Sequence, residues 1–185
     1  MPTATSAQAA TPSSLLVLIG LPGCGKSTVG RHLARRLGVA FVDSDQVIEQ
    51  RIGCSIRLFF DREGEDAFRD MEEAVLDELT AGTTPAVLST GGGAVLRAAN
   101  RLHLHGRGKV IYLHAAPEDI FRRLRNDTTR PLLQVQNPLQ RLRSLYEQRD
   151  PLYRETAHYT IETGRPSVAT LVNMVVMQLE LAGNG

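Results

Sequence analysis

Tryptophan is absent from the 185 residues, aromatic residues make up 5% of the chain, and there are two cysteines, Cys24 and Cys54. Two thiols without metal-ligand spacing exclude a disulfide framework and a zinc-finger-like site, and they fit a reducing cytoplasm. Charge of one sign is also missing. The 21 basic and 20 acidic side chains leave a formal charge of +1, so nothing marks the whole molecule for nucleic acid or an anionic membrane. The longest apolar stretches, 15–21 and the interrupted 171–181, are too short or too polar to span a bilayer. Residues 1–13, rich in Ala, Thr, Ser and Pro, lack both a basic start and an apolar segment of signal-peptide length. They read as a disordered extension before a single domain over 14–185. With 42% hydrophobic residues that domain can bury a substantial core, and no internal repeat divides it.

What is present is concentrated in one loop. Gly20-Leu21-Pro22-Gly23-Cys24-Gly25-Lys26-Ser27, with Thr28 next, follows the apolar run 15–19 and precedes a stretch of helical spacing over 29–37. A strand feeding G-x-x-x-x-G-K-S and then a helix is the context of a phosphate-binding loop. Glycines let successive N–H groups turn inward, and the helix start adds unpaired donors, so a triphosphate meets an anion nest. Lys26 supplies a mobile charge for the β and γ phosphates, and the Ser27 hydroxyl suits Mg²⁺. Cys24 reads as a small residue filling a tight turn.

The rest of the chain alternates strands and helices. Strands are expected at 40–42, 86–88, 109–113 and 159–162, and helices at 46–52, 56–79 with a break at Gly64, 117–124, 138–149 and 167–181. This pattern argues for a parallel sheet wrapped on both faces. Asp43-Ser44-Asp45 leaves the second strand at the edge where such sheets place ligands. The two carboxylates suit a metal's water shell and a hydroxyl proton, although one of the three polar residues could equally be a helix cap. Arg69, with Glu65, Glu72 and Glu73 at helical spacing, reads as part of a solvated ion-pair face. Gly91-Gly92-Gly93 follows the third strand, where such glycines imply a close approach by a ligand or another segment. The five histidines, His103 and His105 among them, read as surface or satisfied residues.

Taken in order, GLPGCGKST, Asp43-Ser44-Asp45, IGCSIRLFFDREGEDAFRDME, LSTGGGAV, RPLL from Arg130 and RDPLYRE from Arg149 resemble the shikimate kinase family. That family lies within the nucleoside-monophosphate-kinase group of P-loop folds, and the resemblance runs from 15 to about 181. It implies a P-loop NTPase α/β fold with three α/β/α layers and a five-stranded parallel sheet in the order 2-3-1-4-5. A substrate-binding region would fall at about 44–80 and a lid at about 125–137. The implied activity is transfer of the γ-phosphoryl group of ATP to the 3-hydroxyl of shikimate, with one Mg²⁺, by a monomeric cytoplasmic enzyme without nucleic-acid or membrane partners.

The resemblance also assigns roles. Gly23, Cys24, Gly25, Lys26, Ser27 and Thr28 would hold ATP, with Arg130 closing on the phosphates and Arg165 beside the adenine; Arg123 would cover the adenine's other face. Asp45 would contact the ring hydroxyls, including the one phosphorylated. Arg69 and Arg149 would bind the carboxylate, with Gly91, Gly92 and Gly93 at the acceptor, and Ser27 and Asp43 at the metal. Lys26, Asp45 and Arg130 would carry the catalysis. The phosphate loop and lid alone fit a gluconate or nucleoside-monophosphate kinase equally well, or a binding module without turnover. Arg69, the triple glycine and Arg149 together favour shikimate. Residues 1–13 have no place in the family pattern.

Overall fold

Leu15–Ile19 form strand β1, and all five residues are buried. A strand with no polar face has to be covered on both sides, the condition met in parallel sheets. The computed structural model describes residues 14–125 and 135–183; the extension at 1–13, Arg130 and most of the expected lid lie outside them. Strands β2 (Ala40–Asp43), β3 (Ala86–Ser89), β4 (Gly108–His114) and β5 (Tyr159–Glu162) join β1 in a sheet of order β2-β3-β1-β4-β5. All pairings are parallel, and Val17 is in register with both Leu88 and Val110.

The helices are α1 (Lys26–Leu37), α2 (Ser44–Ile52), α3 (Ile56–Ala81), α4 (Ala98–Arg107), α5 (Pro117–Leu124), α6 (Pro138–Thr156) and α7 (Val168–Gly183). Helix α1 packs against α7, whereas α3 and α6 pack against α4. From β1 the chain crosses through α1 toward β2, and from β3 it crosses through α4 toward β4. Neighbouring strands therefore send their connections in opposite directions, which opens a crevice at their carboxyl ends. The phosphate loop leaves β1 there, and the triple glycine leaves β3. A smaller apolar cluster of Ile48, Phe68 and Val75, with Met71 and Leu79 against it, ties α2 to α3 beside the crevice.

Three elements differ from the reading of the sequence. Helix α1 begins at Lys26, because its first turn faces the crevice rather than the core and carries no apolar signal. Helix α4 escaped notice: Leu104 and Asn100 are its buried residues, while Leu102 is 74% exposed, so no apolar stripe forms. Helix α6 does not stop at Arg149 but continues through Pro151 to Thr156. A proline inside a helix removes one donor and costs about 3 kcal/mol locally, and burial of Tyr153 and Thr156 beyond it opposes that cost. The expected break in α3 is present, with Gly64 at φ 84° and ψ 172°. Among the described residues no helix is long and apolar enough to cross a membrane.

Candidate active site

Gly25 caps α1 at φ 95°, a left-handed conformation natural to glycine. Lys26, the first residue of the helix, is buried, and its Nζ donates to the carbonyls of Gly20 at 2.8 Å and Leu21 at 3.0 Å. Cys24 is buried as a free thiol with its Sγ 3.7 Å from the same ammonium. The Ser27 hydroxyl donates to Asp43 Oδ2 at 3.1 Å, and the Asp45 amide donates to Asp43 Oδ1 at 2.9 Å. Asp43 is thus the helix cap that the sequence left open for this stretch, and it is also the partner of Ser27.

Asp45 follows in the first turn of α2. Burial pushes its carboxyl up to about 6, with the charges of Asp43, Glu72 and Glu49 adding to the rise and Lys26 opposing it. A cavity of about 300 Å³ is lined by Gly23, Gly25, Lys26, Ser27 and Thr28 from the phosphate-loop side and by Asp43, Asp45, Gly91 and Gly92 opposite.

Each glycine of the triplet is pressed by a different neighbour. A Cβ at Gly91 would lie 2.8 Å from Asp45 Oδ1 and 3.2 Å from Glu72 Oε2. One at Gly92 would lie 2.7 Å from Pro22 Cδ, and one at Gly93 would lie 2.6 Å from Arg69 Cζ. The phosphate loop and the side chains of Asp45, Glu72 and Arg69 therefore meet on one backbone turn.

The solvated ion-pair face expected around Arg69 is not what forms. Its side chain is 11% exposed, and Nη1 donates at 2.8 Å to Glu72 Oε1, whose side chain is 1% exposed. Packing of α3 against the triple glycine covers this pair, while Glu65 at 3.5 Å stays in solvent. The Arg69 guanidinium also sits 5.2 Å from the centroid of the Phe68 ring. Burial raises the Glu72 carboxyl, and the positive charges of Arg69 and Arg149 oppose that rise. Burial lowers the Arg149 pKa, the Tyr153 hydroxyl opposes the shift, and Arg69 is close enough to add repulsion. Arg149 Nε has no hydrogen-bond partner among the described residues. The Tyr153 hydroxyl donates to Gly92 O at 2.6 Å.

Lys26, Ser27, Asp43, Asp45, Gly91 and Gly92 thus line one cavity, Arg69 lies beside it against Gly93, and Arg149 is within electrostatic reach of Arg69 and Glu72. Arg123 on α5 reaches the loop's outer side, with an Nη1 4.0 Å from a Cβ built at Gly25. Arg165 is exposed in the turn after β5, away from the cavity lining. His105 meets Thr156 O at 2.9 Å, and His158 accepts from the Val110 amide at 2.9 Å. Among the described residues no cluster of His, Cys, Asp or Glu could by itself hold a metal. Sequence reasoning missed two buried residues that brace the site, Glu72 and Tyr153. The signal for each was its helical spacing from an arginine, three residues after Arg69 and four after Arg149.

A phosphate loop that opens onto a sunken carboxylate in a sheet of this order is the arrangement of a P-loop kinase. The sequence model of the shikimate kinase family matches residues 22–180. A shikimate kinase of Paracidovorax citrulli is 65% identical over 93% of this chain and 95% of its own length. One of Burkholderia thailandensis is 56% identical over 95% of both chains. The shikimate kinase of Acinetobacter baumannii, solved in complex with shikimate, is 48% identical and superimposes with a TM-score of 0.85 over 94% of this chain and 96% of its own. A gluconokinase of Sinorhizobium meliloti, 21% identical with a TM-score of 0.59 over 95% of this chain and 96% of its own, shares the fold. The chain belongs to the shikimate kinase family, and it is an ATP-dependent kinase.

Proposed function

We propose that the protein transfers the γ-phosphoryl group of ATP to the 3-hydroxyl of shikimate, giving ADP and shikimate 3-phosphate. The observation that supports this reading is the contact of Arg69 with Gly93 and of Asp45 with Gly91 on one glycine turn, with the charge of Arg149 close to Arg69. Two guanidiniums suit a carboxylate because their planar donors match its oxygens, and a carboxylate anion suits the hydroxyl end of the same small ring.

The phosphate chain of ATP lies along the loop amides, and Lys26 leaves the carbonyls of Gly20 and Leu21 for the β and γ oxygens. Ser27 and Asp43 offer hard oxygen atoms on one edge of the cavity and fit a Mg²⁺ that keeps most of its waters. When bound with ATP, that ion neutralises charge across the β and γ phosphates. Asp45 orients the 3-hydroxyl in line with the γ phosphorus and takes its proton on a carboxylate oxygen. Phosphoryl transfer has a loose transition state, so alignment and surrounding charge supply most of the acceleration. Arg130, which lies outside the described residues, takes the role of a further positive charge by resemblance.

A coupled assay of ADP release with shikimate, gluconate and CMP as acceptors tests the proposal. Turnover with shikimate alone is expected. Turnover with gluconate or CMP and not with shikimate would replace it with another kinase activity, and no stimulation by any acceptor would favour a binding module.

A further inference from the structure

We propose that Tyr153 is a positioning residue for the acceptor, setting the Arg149 guanidinium and the Gly92 peptide together through one hydroxyl. The inference rests on assigning the cavity to shikimate. Tyr153 lies one helical turn beyond Arg149 on α6 and is 1% exposed. Its single proton goes to Gly92 O at 2.6 Å. The Arg149 guanidinium lies close enough to the Tyr153 hydroxyl for each to shift the other's titration, and because a guanidinium only donates, it can meet the hydroxyl oxygen only at its lone pairs. Tyr153 gives to Gly92, so the approach of Arg149 to the same hydroxyl runs in one direction, from guanidinium to phenol oxygen. Burial pushes the phenol far above its ordinary pKa, so the proton stays in place across working pH.

Neither end of this chain can drift. The Tyr153 ring packs 4.9 Å from that of Tyr112, and the Tyr112 hydroxyl donates at 2.8 Å to Asp150, the residue next to Arg149. On its other side the Gly92 peptide is pressed by Pro22 of the phosphate loop, which leaves no room for a Cβ. Gly92 lines the cavity, so the hydroxyl orients one wall of the acceptor site while it holds a cation that meets the acceptor's carboxylate. A tyrosine that merely filled the core would need only one partner for its hydroxyl, and that partner need not belong to the site.

The test is Tyr153→Phe, which keeps the ring and removes the hydroxyl. The KM for shikimate should rise about tenfold or more, the loss expected when a buried hydrogen bond to a charged group is removed. The KM for ATP and kcat should change by less than about threefold. In an Arg149→Lys background the added penalty should shrink, because both changes break the same link. An unchanged KM for shikimate would overturn the inference, as would equal losses in both substrates together with a lowered unfolding temperature, or penalties that simply add. If the variant does not fold, the wild-type protein still decides. With no tryptophan in the chain, shikimate binding should shift the near-ultraviolet tyrosine band, and a titration without that shift would also overturn it. Failure of the underlying assignment looks different, since wild-type protein would then release no ADP with shikimate.

Discussion

Asp45 meets two opposing demands. The proposed mechanism needs its anion, yet burial and the charges of Asp43, Glu72 and Glu49 raise its carboxyl from the ordinary 3.8 to about 6. The kcat/KM for shikimate should therefore fall about tenfold per unit below pH 6 and level off above pH 7. Glu72→Gln removes one of the repelling charges, so the midpoint of that limb should move to lower pH even as the KM for shikimate rises through loss of the Arg69 partner. A midpoint that stayed or rose would separate Glu72 from Asp45. A raised carboxyl pKa also means that the folded chain holds this proton more tightly than the unfolded one, so Asp45 subtracts stability as pH climbs from about 4 to 6. Asp45→Asn should lose most turnover while ATP still binds. At pH 7 it should also unfold later, by on the order of 1 kcal/mol after allowance for partial solvent exposure, or about 2–4 °C. Undiminished turnover would remove Asp45 from the chemistry. Gly93→Ala should act through Arg69, because the new Cβ would displace the guanidinium. A higher KM for shikimate at near-normal kcat is expected, and an unchanged KM would mean that Arg69 relaxes without leaving the acceptor.

At the scale of elements, α3 shows why a break is tolerated. Gly64 joins a short first segment to the longer one that carries Arg69 and Glu72, and a Cβ there would meet nothing within 4 Å. Gly64→Ala therefore adds backbone strain alone, on the order of 1–3 kcal/mol for this almost glycine-only conformation, and should lower the unfolding temperature by several degrees while activity at low temperature is retained. A larger loss of activity than of stability would show that the kink itself aims Arg69. The sequence was most legible where an element had one strong cause: five apolar residues for β1, a proline at the start of α5, a glycine at the break in α3. It was least legible where tertiary contact decided. Only the packing of α4 against α3, β4 and α6 justifies a helix with so little apolar face, and the burial of Tyr153 lies beyond a proline that locally argues for a stop.

Across the whole molecule, the opposite connections of β1 and β3 bring the donor loop and the triple glycine to one crevice, with Pro22 against Gly92 as the point of contact. The nature of the phosphate site was readable from a contiguous motif. The acceptor site was not, because its parts come from α2, α3, the turn after β3 and α6, and only the family resemblance joined Arg69 to Arg149. The spacing of Glu72 from Arg69 marked a pair but not its burial, since the same i and i+3 spacing is common on solvated helices. A closed site should also keep water from the γ phosphate, so ATP hydrolysis without acceptor should be slow and ADP release should rise when shikimate is added. The most direct test of the central claim is a calorimetric titration of the wild-type protein with shikimate, with and without ADP and Mg²⁺. One site that is lost in both Arg69→Met and Arg149→Met is expected. Binding of ADP with no heat from shikimate, or shikimate binding that survives both substitutions, would contradict it.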